Sequence, residues 1–162
     1  MDIPDITYRP IGIVHSPFLK AEGTPIQPAA AMNTEAIIEI FPEFCEGLVD
    51  LEHFSHIFIL FHLHRATKRD LKVIPFLDTK PHGVFATRSP GRPNSIGVSV
   101  VFLNKIEGNK LYVQNIDILD GSPVLDIKPY IPKFDVFETS KNGWFENNLQ
   151  KLEDKKDDGR FI

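Results

Sequence analysis

The sequence predicts a mainly β protein: a single compact β-barrel-like domain with short helices and a C-terminal helix, not a Rossmann fold. Three observations predict it. Short apolar runs recur along the chain, separated by turns drawn from its 13 prolines and 10 glycines, the punctuation expected of strands joined by tight connections. Helical periodicity is sparse by comparison. No GxGxxG follows the first strand-like run and no Walker-type loop occurs, so the phosphate cradle of a doubly wound nucleotide-binding sheet is missing.

The elements follow in chain order. "TYRPIGIVHS" (7–16) is short and partly alternating, and "TEAIIEIF" (34–41) is rich in Ile and stops at Pro42. Both read as strands. "HIFILFHLH" (56–64) is apolar on both faces until His62 and His64, as expected either of a strand buried on both sides or of a barrel strand. "LKVIPFL" (71–77) carries Pro75, which cannot donate to a ladder and marks an edge or interrupted strand. "HGVFATR" (82–88), "IGVSVVFLNKIEG" (96–108) and "KLYVQNIDIL" (110–119) follow, with Glu107-Gly108-Asn109 as a hairpin turn. "VLDIKPYIPKFD" (124–135) is extended and broken by Pro129 and Pro132. Two segments carry helical signal. "PEFCEGLVDL" (42–51) starts on Pro42, a favoured first helical position, and "KNGWFENNLQKLEDKK" (141–156) supplies the C-terminal helix. Residues 1–140 are thus expected to form the barrel domain, and 141–162 a C-terminal helix with a charged tail that frays.

Composition excludes several classes. A single Cys45 rules out an internal disulfide framework and a Cys-rich zinc site. No apolar run approaches the roughly 18 residues that span a bilayer, and the acidic start "MDIPDITYRP" has no apolar signal region. A reduced, cytoplasmic compartment is the expectation. The net charge of −4 argues against bulk electrostatic binding of nucleic acid. Between Arg65 and Arg92, however, seven cations stand against Asp70 and Asp78 alone, a basic patch suited to an anionic ligand or simply to solvent.

Three constellations carry possible chemistry. "FATRSPGRPNSIGVS" (85–99) places Arg88 and Arg92, whose guanidinium forks fit carboxylates and phosphates, among Pro90, Pro93, Gly91 and Gly97. The prolines fix φ and the glycines permit tight turns, which preorganises the polar groups, Asn94 and Ser95 included. "DILDGSPVLDIKPY" (117–130) holds a turn at Asp120-Gly121-Ser122-Pro123. Beyond it, Asp126 and Lys128 share a strand face, as either a plain ion pair or a functional one. In "FHLHRA" (61–66), His62 and His64 share a strand face at a metal-like spacing, but no third ligand is evident. Cys45 has no cationic context, and none of the serines sits in a GxSxG elbow. Taken alone, the residues describe a β-barrel that binds an anionic ligand.

Five segments in order resemble the TrmO (YaeB-like) family of S-adenosylmethionine-dependent tRNA methyltransferases: "IGIVHSPF" (11–18), "TPIQP" (24–28), "GLVDLEHFSHIFILFHLHR" (47–65), "GVFATRSPGRPNSIGVSVV" (83–101) and "DILDGSPVLDIKPYIP" (117–132). The resemblance implies a compact barrel working as a homodimer, with the cofactor near the subunit interface. It implies methylation of N6 of threonylcarbamoyladenosine at position 37 of tRNA. Carried over by motif, Pro25, Ile26, Gln27, His64, Arg65, Arg88, Val98, Asp120, Gly121, Ser122 and Pro123 would contact S-adenosyl-L-methionine. Arg92, Lys128 and Tyr130 would meet the tRNA substrate, and Asp126 or Asn94 would accept the amine proton. No metal is implied. Longer bacterial members carry an additional C-terminal domain, whereas here a short helix and charged tail follow the motifs. Arg65 and Ser122 stand where relatives often have other polar residues. Two other functions fit parts of the pattern: a non-catalytic barrel that binds S-adenosylmethionine or a nucleotide and regulates a partner, and a metal hydrolase built on His62 and His64.

Overall fold

Alternating apolar residues give six strands one buried face each, and the strands satisfy their backbones by closing into a ring. The computed structural model describes residues 4–27, 31–151 and 155–162. Within them run β1 (Gly12–His15), β2 (Glu35–Ile40), β3 (His56–His62), β4 (Lys72–Val73), β5 (His82–Gly83), β6 (Ile96–Glu107), β7 (Lys110–Gln114) and β8 (Pro123–Pro129). The barrel order is β1-β2-β7-β6-β3-β8, with β8 pairing back to β1, and β4 with β5 forms a separate two-stranded sheet. Every pairing in the barrel is antiparallel. Closure leaves the barrel without a free edge.

The core is aliphatic: Val14, Ile38, Ile57, Ile59, Val101 and Leu111 are among its fully buried members. β6 is long enough to serve two neighbours. Its first half pairs with β3 from His62↔Ile96 to His56↔Phe102, and its second half pairs with β7. A register shift between Leu103 and Lys105 lets the strand bend between those tasks. The β6–β7 hairpin turns on Gly108 at φ 60, as the two-residue loop requires.

Gly97 does not make the tight turn its loop context suggests. It lies within β6 opposite Phe61, and a Cβ there would stand 2.4 Å from that ring. The missing side chain is the space the ring fills.

A second register shift, between Leu60 and Phe61 where β3 meets β8, reverses the parity of β8. Val124 and Ile127 therefore both pack toward the core. Asp126 and Lys128 face outward, where they form an exposed 2.7 Å ion pair.

Helix is scarce, as expected. Pro42–Leu48 and Leu51–His53 are 3-10 turns, and α1 (Pro132–Asp135) is a single short turn. The expected continuous C-terminal helix over 141–156 is replaced, among the described residues, by two 3-10 turns, Gly143–Phe145 and Leu149–Lys151. Gly143 at φ 57 interrupts α geometry there. Residues 152–154 of that segment lie outside the described residues.

The terminal segment is not frayed. Gly23 N donates to the Asp157 carbonyl at 2.7 Å, Asp157 N donates to the Thr24 carbonyl at 2.9 Å, and Pro25 bridges Lys156. Phe161 is buried in a small second core with Val73 and Val84, edge-on to Phe76.

Candidate functional site

At the barrel end where β3 finishes and β6 begins, the loop 85–95 leans over the opening. Hydroxyls hold its shape. Thr87 Oγ1 donates to the Val84 carbonyl at 2.8 Å and accepts from Ser89 N, and Ser89 Oγ accepts from Gly91 N. Thr87, Ser89 and Ser95 are buried. Arg92 donates to the Thr87 and Ser89 carbonyls at 3.3 and 3.4 Å, so its guanidinium fastens its own loop. Arg88 reaches away from the loop and donates to Gln27 Oε1 at 2.8 Å, joining two motifs 61 residues apart.

Beneath the loop lies a cleft of ≈ 210 Å³. Phe61, Leu63, Ile96 and Val98 give it apolar walls, Arg65, Arg88 and Arg92 give it cations, and Asp117 and Asp157 give it carboxylates. Of the residues expected to contact a cofactor, Pro25, Ile26, Gln27, His64, Arg65, Arg88, Val98 and Ser122 line it together. Pro28, the last residue of the 24–28 motif, lies outside the described residues.

Asp120, Gly121 and Pro123 stand beside the cleft rather than in its lining. Asp120 Oδ1 accepts from Ser16 N at 3.1 Å, and Gly121 N donates to the Val14 carbonyl at 2.9 Å, which pins this turn to the exit of β1. Gly121 adopts φ 75 and approaches the His64 ring. The turn thereby fixes Ser122, which is buried and meets His64 Nδ1 at 3.2 Å.

His64 does not share a strand face with His62, because β3 ends at His62 and His64 lies in the following turn. Arg65 Nε donates to His64 Nε2 at 3.3 Å, so Nδ1 carries the ring proton and donates to Ser122 Oγ. Burial and then the neighbouring Arg65 push the His64 pKa down, and the ring is a neutral, oriented hydrogen-bonding group. Among the described residues, no three His, Cys, Asp or Glu side chains converge as a metal site.

Four further expected residues, the substrate and proton-acceptor candidates other than Arg92, lie outside the cleft lining. Asp126 and Lys128 face solvent on β8. Tyr130 packs edge-on against Phe58, with ring centroids 5.4 Å apart, on the outside of the barrel. Asn94 is exposed near the end of the loop, where its carbonyl accepts from Ile96 N.

The cleft also contains residues that the motifs did not single out. Asp117 lies between the buried Ile116 and Ile118, yet its carboxylate reaches the cleft and accepts from Ser99 Oγ at 2.5 Å. Burial pushes its pKa up to about 6, against the smaller opposing effects of Ser99 and Arg88. The C-terminal segment adds Trp144, Phe145, Asp157, Phe161 and Ile162. Trp144 stacks on His82 and donates from Nε1 to the Ala86 carbonyl at 2.8 Å. Asp157 accepts from Gly159 N at 2.7 Å, and burial raises its pKa. The only sequence signal for these tail residues is a few aromatics in a charged stretch.

Comparison with known proteins agrees with this geometry. The family model for the tRNA-methyltransferase O N-terminal domain matches residues 13–136. A probable S-adenosyl-L-methionine-binding protein of Pyrococcus abyssi is 56% identical over 157 residues, covering 97% of this chain and 85% of that protein. The tRNA (adenine(37)-N6)-methyltransferase of Homo sapiens is 37% identical over 157 residues, covering 93% of this chain but 36% of its own length. The crystal structure of TrmO from Pseudomonas aeruginosa superposes with a TM-score of 0.74 at 40% identity, across 88% of this chain and 63% of that one. A barrel of this order, with these motifs gathered at one end, belongs to the TrmO family.

Proposed function

We propose that the protein is an S-adenosyl-L-methionine-dependent methyltransferase acting on N6 of threonylcarbamoyladenosine at position 37 of tRNA. One observation carries this reading: four separated motifs of a TrmO-family chain place Gln27, His64, Arg65, Arg88, Val98 and Ser122 around one cleft. The donor set suits this cofactor. Apolar walls can take the adenine ring, the Arg88 or Arg65 guanidinium can take a carboxylate, and the Asp117 and Asp157 carboxylates can face positive charge. The cofactor supplies an electrophilic methyl group on a sulfonium.

The chain's own residues bind and orient. Gln27 holds the Arg88 guanidinium at the cleft mouth, ready for a carboxylate. Neutral His64, both of its ring nitrogens taken up by Ser122 and Arg65, lines the cleft as a fixed ring that adds no charge. Arg88, Ser89, Pro90 and Arg92 of the loop and the tail aromatics Trp144, Phe145 and Phe161 line the cleft together. Asp126 and Asn94, expected acceptors for the amine proton, lie outside the cleft lining and would meet the outer part of the substrate, alongside Lys128 and Tyr130. A homodimer fits the exposed Phe134, Val136 and Phe137 that follow β8, an apolar surface of the kind subunit contacts cover. A cytoplasmic location follows from a tRNA substrate.

The test is direct. Purified protein is incubated with methyl-labelled cofactor and tRNA from a strain lacking a TrmO homologue, and the digested nucleosides are analysed by mass spectrometry. N6-methylated threonylcarbamoyladenosine is the expected product. Cofactor binding with no new methylated nucleoside would favour a non-catalytic binding barrel instead.

A further inference from the structure

Asp117 is placed where a carboxylate is costly. It reaches the cleft from between two fully buried isoleucines, and the side-chain donor it meets is the uncharged Ser99 hydroxyl. Among the described residues, no Lys, Arg or His side chain comes within ion-pair distance of it. Arg88 is the charge that influences it, and that guanidinium donates to Gln27 instead. The other charged groups of the cleft, Arg65, Arg92 and Asp157, bond to His64, to loop carbonyls and to Gly159 N respectively. A carboxylate taken out of water without a cation is unfavourable unless a partner arrives. An open cleft leads to this one.

We infer that Asp117 is the counter-ion for a positively charged centre of the bound ligand, and that through it the cleft distinguishes the sulfonium cofactor from the uncharged thioether that remains after methyl loss. The inference rests on the proposal that this cleft holds S-adenosyl-L-methionine. Apolar walls around the pair strengthen the attraction. Transfer of the methyl removes the positive charge, so the attraction disappears once the product forms. Asp117 would thus favour loading of the reactive form and loosen the spent one.

Calorimetry at pH 7.5 on the full chain tests this with three ligands. They are S-adenosyl-L-methionine, sinefungin (which carries an amine in place of the sulfonium) and S-adenosylhomocysteine. The native protein should bind the two cationic ligands roughly ten- to a hundredfold more tightly than the thioether. Asp117→Asn, whose carbonyl can still accept from Ser99, should bring the three within about threefold by weakening only the cationic pair. A melting temperature no lower than the native one shows that the variant is folded. Equal affinities in the native protein, or a uniform loss for all three ligands in the variant, would overturn the assignment. Absence of binding by any of the three in the native protein would instead overturn the cofactor proposal on which it rests.

Discussion

Asp117→Asn should stabilise the unliganded protein, and the gain should depend on pH. Burial pushes the native carboxyl up to about 6, from an ordinary value of 3.8. A carboxyl whose pKa is raised by folding takes up a proton more readily in the folded state. Its penalty is therefore complete above about pH 6 and vanishes below the unfolded value. A difference of this size corresponds to about 3 kcal/mol at pH 7.5, falling to about 1 kcal/mol at pH 4.5. Asn has no charge to bury and keeps an oxygen for the Ser99 hydroxyl. Urea unfolding of both proteins at the two pH values reads the difference directly, provided the m-values agree. A gain of a few kcal/mol at pH 7.5 that shrinks at pH 4.5 is expected. A variant that is less stable than the native protein at pH 7.5, or a gain that ignores pH, would refute the claim that this charge is desolvated without a cationic partner. The variant's ligand discrimination should fall while its stability rises, since both effects remove the same unpaired charge.

Other perturbations probe the parts that shape the cleft. Gly97→Ala puts a methyl 2.4 Å from the Phe61 ring and should cost about 1–3 kcal/mol by overpacking; calorimetric melting should show this, with partial recovery when Phe61→Leu is added. Phe161→Ala empties the small core with Val73, Phe76 and Val84 and should cost about 3 kcal/mol of tail docking. Hydrogen exchange should then accelerate in 155–162 while the β3 and β6 amides stay protected, and simultaneous loss of barrel protection would contradict a separately docked tail. Nitrogen-15 NMR should find His64 neutral at pH 7 with its proton on Nδ1, as the Arg65 and Ser122 contacts require; a protonated ring, or one carrying its proton on Nε2, would contradict that orientation. Arg88→Ala should weaken cofactor binding roughly tenfold or more without lowering the melting temperature, because its side chain is exposed and, among the described residues, bonds to Gln27 alone.

The barrel was legible because its signals are local. Alternation in 35–40 and 110–114, the Gly108 turn and the stop at Pro42 each report on a few neighbouring residues, and ladder pairing follows from them. Half of the cleft was legible for a different reason: loop 85–95 concentrates Pro, Gly and Arg too densely for an ordinary turn. Parity alone does not say which way a face points in β8 or at Asp117. Asp126 and Lys128 share a face as the period of two demands, but the bulge beside Leu60 decides that this face is the outer one, and no residue in β8 announces the bulge. Asp117 alternates with Ile116 and Ile118 as a solvent-facing residue should, and only the position of Ser99 on β6 turns that direction into the cleft.

The tail is the strongest case of information that local pattern does not carry. Residues 155–162 are mostly charged, which by composition describes a solvated end. They are held instead by backbone pairing with Gly23 and Thr24, more than 130 positions earlier, and by one ring inserted between Val73 and Val84. Backbone bonds have no sequence signature, and a single Phe can bury itself only where another segment has left a socket. The 24–27 motif, read as cofactor contacts, is therefore also the platform on which the tail docks. A displacement of the Thr24–Pro25 backbone would reach the cleft twice, once through the motif itself and once through Asp157 and Phe161 in its wall.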